Sequence, residues 1–247
     1  MNTQINITKN GTTTLATAGK YCDRNIDVNV DAVYKAGQKA EYDRFWDVFQ
    51  QNGSRIDYRY SLGGPGWTDE TFKPKYNIVA TEAERMFVRA KIANLKACLE
   101  SCGVTLDLSK CTNTANIFAY CYSLTTLPKI DLSSSTVNNG TFDGDYKIKT
   151  IDELVVSEKT PFSSGSFNGC TALENMIVTG TIGQNNFNVK WSTKLSKASI
   201  ESIINALSST TSGLSVTISK TAKEAAFTDA EWAALIATKS NWTISLA

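Results

Sequence analysis

Apolar positions in the middle of the chain recur with a fixed period. Phe118, Phe142 and Phe167 stand 24 and 25 residues apart. Each is followed six residues later by a bulky aliphatic, Leu124, Ile148 or Leu173, and nine later by Leu127, Ile151 or Met176. A period in the twenties predicts a solenoid, whose repeats bury their faces only by stacking on one another. The stretch Leu106-Asp107-Leu108-Ser109 returns as Ile130-Asp131-Leu132-Ser133, 24 residues on. An irregular first repeat is expected near Phe87, before the three clear ones. The phenylalanines themselves are expected to form a buried column.

The flanks follow other patterns. Ile5 and Ile7 alternate with polar residues, Asn10-Gly11 favours a hairpin turn, and Ile26, Val28 and Val30 line one side of a strand. Residues 1–33 are therefore expected to be a small β module, too small to stand alone. Tyr42, Phe45, Trp46 and Phe49 share one face of a predicted helix over 40–51, which either caps the core or docks on a partner. Thr81-Glu82-Ala83-Glu84 matches a capping box and predicts a helix start ahead of Met86 and Phe87. Leu95, Cys98, Leu99 and Cys102 share a helical face ended by Gly103. After residue 180 the pattern reads as helix–strand units: a helix from near Ser196 to Leu207, a strand over 214–218, a second capping box at Thr228, and a strand over 242–246. Three regions result: 1–33, a helix and glycine-rich connection over 34–80, and the repeats with their C-terminal cap over 81–247.

Composition narrows the chemistry. The chain of 247 residues carries 25 basic and 24 acidic residues, which removes the electrostatic footprint of a dedicated nucleic-acid binder. No stretch approaches the ~18 consecutive apolar residues of a membrane-spanning helix. The N-terminus lacks a basic region followed by an apolar core, so the chain is expected to be assembled in the cytosol. Histidine is absent, which excludes Ser-His-Asp, Cys-His and His-metal chemistry. No cofactor motif occurs: GxGxxG and GxxxxGK[ST] are both missing. No catalytic or metal-binding residue is assigned.

Among the cysteines, Cys121 and Cys170 follow a repeat phenylalanine by three, a core position where Cys acts as a small hydrophobe. Asp145 occupies that position in the middle repeat. The other readings of the cysteines are a disulfide or a metal site. Tyr58, Tyr60 and Trp67 flank Gly63-Gly64-Pro65-Gly66. They form either a ligand platform, for instance for a sugar, or anchors for the loop. Asp143, Asp145, Asp152 and Glu153 are the densest acidic group. Asp143-Gly144-Asp145 reads first as a turn, and second as glycan-hydrolase carboxylates or a calcium loop.

Phe118-x-x-Cys121-x-x-Leu124-x-x-Leu127, and again Phe167-x-x-Cys170-x-x-Leu173, resembles the BspA-type leucine-rich repeats. The resemblance spans roughly residues 82–180. It implies an α+β fold: a leucine-rich-repeat-like solenoid of short strands with C-terminal helix–strand units. Residues 7–12 leading to 26–30 look like a short β-module found in phage tail and baseplate proteins. Together these imply a non-enzymatic virion protein, a tail fibre, baseplate component or capsid decoration, assembled in the host cytoplasm. It would attach through Ile5, Ile7, Ile26, Val28 and Val30 to other virion proteins or to itself. Its other surface would meet a host glycan or protein, with no nucleic-acid partner and no membrane insertion. A bacterial surface adhesin of the same repeat class is the alternative, with a glycan hydrolase behind it.

Overall fold

The computed structural model describes residues 4–9, 12–17, 67–74, 77–80 and 83–247. The chain divides into two compact units, residues 1–57 and 58–247. In the first, β1 (Gln4–Lys9) and β2 (Thr12–Thr17) pair antiparallel, with Lys9 opposite Thr12. This register fits a two-residue hairpin connection. Ile5 and Ile7 lie on β1. Ile26, Val28, Val30 and the predicted helix over 40–51 lie outside the described residues.

The second unit is α+β, built from short parallel pairings that follow the repeat period. β3 (Ile78–Val79) pairs with β4 (Leu106–Asp107). β5 (Thr126–Leu127) and β6 (Ile130–Asp131) both pair with β7 (Thr150–Val156), which pairs in turn with β8 (Asn175–Gly180). A three-stranded parallel sheet follows, β9 (Phe187–Val189), β10 (Leu214–Ile218) and β11 (Trp242–Leu246), with β10 central. Four helices are described: α1 (Leu95–Cys102), α2 (Lys197–Ala206), α3 (Lys220–Ala226) and α4 (Asp229–Ala237). Among the described residues no sheet closes into a barrel. No described helix is long and apolar enough to cross a membrane.

Helix ends fall where side chains satisfy the free N–H groups. Ser196 accepts from the Ser199 N–H, and Thr228 with Glu231 forms a complete capping box. The capping box read at Thr81 does not start a helix. Residues 84–89 form turns, with Arg85 and Arg89 at φ of 60° and 59°. The N–H groups of Arg85, Phe87 and Arg89 donate to the carbonyls of Ala115, Ile117 and Ala119 in the next segment. That ladder satisfies the donors a helix would need. Helix α1 begins later, at Leu95, with the Asn94 side chain accepting from Ala97 N–H, and ends on Gly103 at φ 66° as expected.

The same ladder continues along the unit. Phe118 N–H donates to Thr141 and Phe142 N–H to Ser166, at 3.0 and 2.9 Å. It brings the phenylalanines into one column. Phe87, Phe118, Phe142 and Phe167 are fully buried, with successive ring centroids 5.4, 5.7 and 5.2 Å apart, all stacked. The echo between residues 106–109 and 130–133 is also structural. Asp107 accepts from Ser109 N–H at 2.9 Å, and Asp131 from Ser133 N–H at 3.0 Å. Each aspartate closes the same local turn.

Candidate functional site

Four successive segments share one backbone device. The N–H groups of Cys121, Asp145, Cys170 and Ser192 donate to the carbonyls three residues back, on Phe118, Phe142, Phe167 and Val189. The next residue, Tyr122, Tyr146, Thr171 or Thr193, donates two residues back, at 2.7 to 3.0 Å. This repeated geometry fixes two rows. The inner row, Cys121, Asp145, Cys170 and Ser192, is buried. The outer row holds Tyr122, Tyr146, Thr171 and Thr193, all exposed.

Immediately before the inner row along the chain comes a turn position, occupied by Arg89, Tyr120, Gly144, Gly169 and Trp191. The first four have φ between 59° and 77°. The bend turns the next residue, Ala90, Cys121, Asp145, Cys170 or Ser192, into the core. At Gly144 it also leaves room for a neighbour, because a Cβ there would meet the Tyr120 ring at 2.7 Å. Tyr120 lies against this bare backbone and donates its hydroxyl to Asp143 at 2.8 Å. The other Asp143 oxygen accepts from Asn168 Nδ2 at 2.9 Å. The carboxylate is thus held from both sides. Its acceptance of the Tyr120 proton raises the phenol's pKa and keeps it a donor.

An aromatic strip results on the outside of these segments. Tyr120 and Tyr122 lie 6.2 Å apart, and Tyr122 and Tyr146 are stacked at 5.5 Å. Tyr122 and Tyr146 remain 49% and 45% exposed. Arg89 lies over Tyr120 and Lys147 over Tyr146, each at 5.9 Å. Trp191, 46% exposed, carries Lys190 at 5.3 Å. These distances are those of cation–π pairs.

The two thiols of the inner row are shut off from solvent. Cys121 Sγ donates to Phe87 O at 2.7 Å and Cys170 Sγ to Phe142 O at 3.2 Å. Burial pushes both thiols well above their ordinary pKa, so they stay protonated. Cys98, Cys102, Cys111, Cys121 and Cys170 are all free thiols. Asp145 sits between Cys121 and Cys170 and is fully buried. Its Oδ1 accepts from Cys121 N–H at 2.7 Å, and its Oδ2 has no partner. Burial raises this carboxyl's pKa well above the usual range.

The acidic group read from the sequence disperses. Asp143 is on the strip and Asp145 in the core. Asp152 pairs with Lys96 at 2.7 Å, and Glu153 with Lys129 at 3.2 Å and Thr179 at 2.7 Å. Among the described residues no three His, Cys, Asp or Glu side chains converge as a metal site would require. Trp67, a candidate for the ligand platform, is in the core, 8% exposed, with its ring 4.9 Å from Phe72 and 6.2 Å from Phe87. Its ring extends the phenylalanine column instead of facing solvent. Tyr58 and Tyr60 lie outside the described residues. The tyrosines of the strip escaped the sequence reading, although Tyr122 and Tyr146 are themselves 24 residues apart. No protein-family model, characterised protein or solved structure matches the chain.

Proposed function

We propose that the chain is a non-enzymatic binding protein, a phage virion component of tail-fibre, baseplate or decoration type, built on a leucine-rich-repeat-like solenoid. What supports the repeat reading is the recurrence of one backbone device in four consecutive segments, over a continuous buried aromatic column. A frame of this kind presents a broad rigid surface, and the rows of outward side chains give it one. The virion reading leans on the likeness of the short N-terminal module to those of phage tails, and on its lying in a separate compact unit with an antiparallel hairpin. A two-stranded hairpin has marginal stability alone and open edges that template further strands. Attachment to neighbouring chains through that unit, by strand addition, follows from this chemistry.

Particles purified from the lysate of the source culture test the reading. Mass spectrometry should recover this chain at a ratio to the major structural proteins that survives repeated gradient purification. Its absence from such particles would remove the virion role.

A further inference from the structure

We infer that the aromatic strip is a binding site for an anionic polysaccharide, a pyranose chain bearing carboxylate or sulfate groups. The inference rests on the binding reading above and names the ligand class. Three observations carry it.

The first is charge. The chain as a whole is balanced, 25 basic against 24 acidic residues. The strip segments 88–91, 119–122, 143–147, 168–171 and 190–194 are not. Their solvent-facing charges are Arg89, Lys91, Lys147, Lys190 and Lys194 against Asp143 alone. Asp143 is already engaged by Tyr120 and Asn168. Among the described residues no carboxylate forms an ion pair with Arg89, Lys147 or Lys190, so these cations remain available to ligand anions. A one-signed local field on a neutral protein selects an oppositely charged partner.

The second is the pairing of apolar and polar groups. A pyranose has an apolar C–H face and a rim of hydroxyls. Tyr122 and Tyr146 offer exposed ring surface with phenolic hydroxyls at the edge. Asp143, Asn168 and the Tyr120 hydroxyl form a fixed hydrogen-bonding group beside them. Aromatic rings present large rigid contact area at low entropy cost.

The third is repetition. Equivalent positions recur from segment to segment, and the Tyr122–Tyr146 spacing of 5.5 Å is one segment step. A polymer of similar units matches such a surface, whereas a single small molecule would use only one step. A single-stranded nucleic acid is the competing polyanion, since its bases also stack on aromatic rings, and the test below includes one.

The test uses the full chain in titrations against polygalacturonate, dextran sulfate, neutral dextran and oligo(dT) at two salt concentrations. At least one of the two anionic polysaccharides should bind about tenfold or more tighter than dextran, and more weakly at high salt. Preference between those two identifies the anion. Tyr122→Ala with Tyr146→Ala should weaken that binding by about thirtyfold, because two exposed aromatic contacts of order 1 kcal/mol each are lost together. Lys147→Gln should weaken it and flatten the salt dependence, while Lys110→Gln, an equal charge change outside the strip, should do neither. An unchanged melting temperature identifies each variant as folded. Dextran binding as tightly as the anionic chains overturns the inference, as does oligo(dT) binding more tightly than either. So does binding that ignores both the tyrosine pair and Lys147. A chain absent from particles that still binds these polysaccharides would refute the virion role and leave this site standing. A chain found in particles that binds none of them would do the reverse.

Discussion

Replacing Asp145 by Cys should stabilise the protein, and the gain should grow with pH. Asp145 holds the row position that is Cys121 and Cys170 in the adjoining segments, so a thiol fits the space. Each neighbouring thiol donates to the carbonyl of the preceding segment's phenylalanine. Asp145 instead accepts one N–H from Cys121, and its second oxygen is buried without a partner. An unpaired buried polar atom costs about 1–3 kcal/mol. The bond lost in the substitution is worth about 1 kcal/mol, and Cys121 N–H keeps its second acceptor, Phe118 O, at 3.2 Å. The balance favours Cys by about 1 kcal/mol even where the carboxyl is neutral.

Ionisation adds the pH term. Burial raises the folded pKa of Asp145, so between the unfolded value of about 3.9 and the raised one the native state binds the extra proton. Stability then falls as pH rises through that window, by up to about 1.4 kcal/mol per pH unit. Full stability from this group is present only below the unfolded pKa. Urea denaturation followed by tryptophan fluorescence at pH 4.5, 5.5, 6.5 and 7.5 measures both proteins. The difference between them isolates Asp145 from other carboxylates such as Glu231, which Lys197 and the capping contacts hold down at about 2. A variant less stable than wild type at pH 7.5, or an advantage that does not change with pH, would refute the reasoning.

Other consequences are more direct. Phe142→Ala should lose about 3–5 kcal/mol in the same urea assay, since the ring is fully buried between Phe118 and Phe167; a loss under about 1.5 kcal/mol would contradict a continuous packed column. Gly180→Ala should lose about 3 kcal/mol, because Gly180 has φ of 83° and an added Cβ would collide with the Val156 carbonyl. Native-state iodoacetamide labelling, read peptide by peptide, should modify half-exposed Cys102 well before buried Cys121 and Cys170; equal rates would mean that the inner row opens readily. Deleting residues 1–33 should leave the 58–247 unit with unchanged circular dichroism per residue but prevent its recovery in particles; normal incorporation would exclude attachment through the N-terminal module.

What the sequence disclosed and what it hid divide along physical lines. The buried column was legible because each phenylalanine needs an apolar neighbour at the same offset, and that need writes a period into the chain. The Cys121 and Cys170 positions followed from the same register. The starts of α2 and α4 were legible because Ser196 and Thr228 cap locally, within three residues. The stretch after Thr81 was misread for the converse reason. Its capping motif is local, but the N–H groups of Arg85, Phe87 and Arg89 find acceptors about 30 residues away, and a long-range ladder outweighs a marginal helix start. Trp67 was open to two readings because an aromatic beside glycines packs inward or outward with equal ease on local grounds. Only the position of Phe72 and Phe87 decides it.

The strip was harder to see because a surface row carries no apolar signature. Asp143-Gly144-Asp145 makes the point within three residues. Read locally, they are turn formers and nothing more. In the fold Asp143 faces solvent and is clamped by Tyr120 and Asn168, Gly144 is bare so that a tyrosine from the preceding segment can lie on it, and Asp145 is shut in the core. Three fates in three residues arise because the positive φ at Gly144 reverses the chain between the outer face and the inner row. The repeat period that reveals the core therefore also locates the surface. Once Cys121 and Asp145 are known to be equivalent, Tyr122 and Tyr146 must stand one step apart on the outside, with Thr171 and Thr193 continuing the same row.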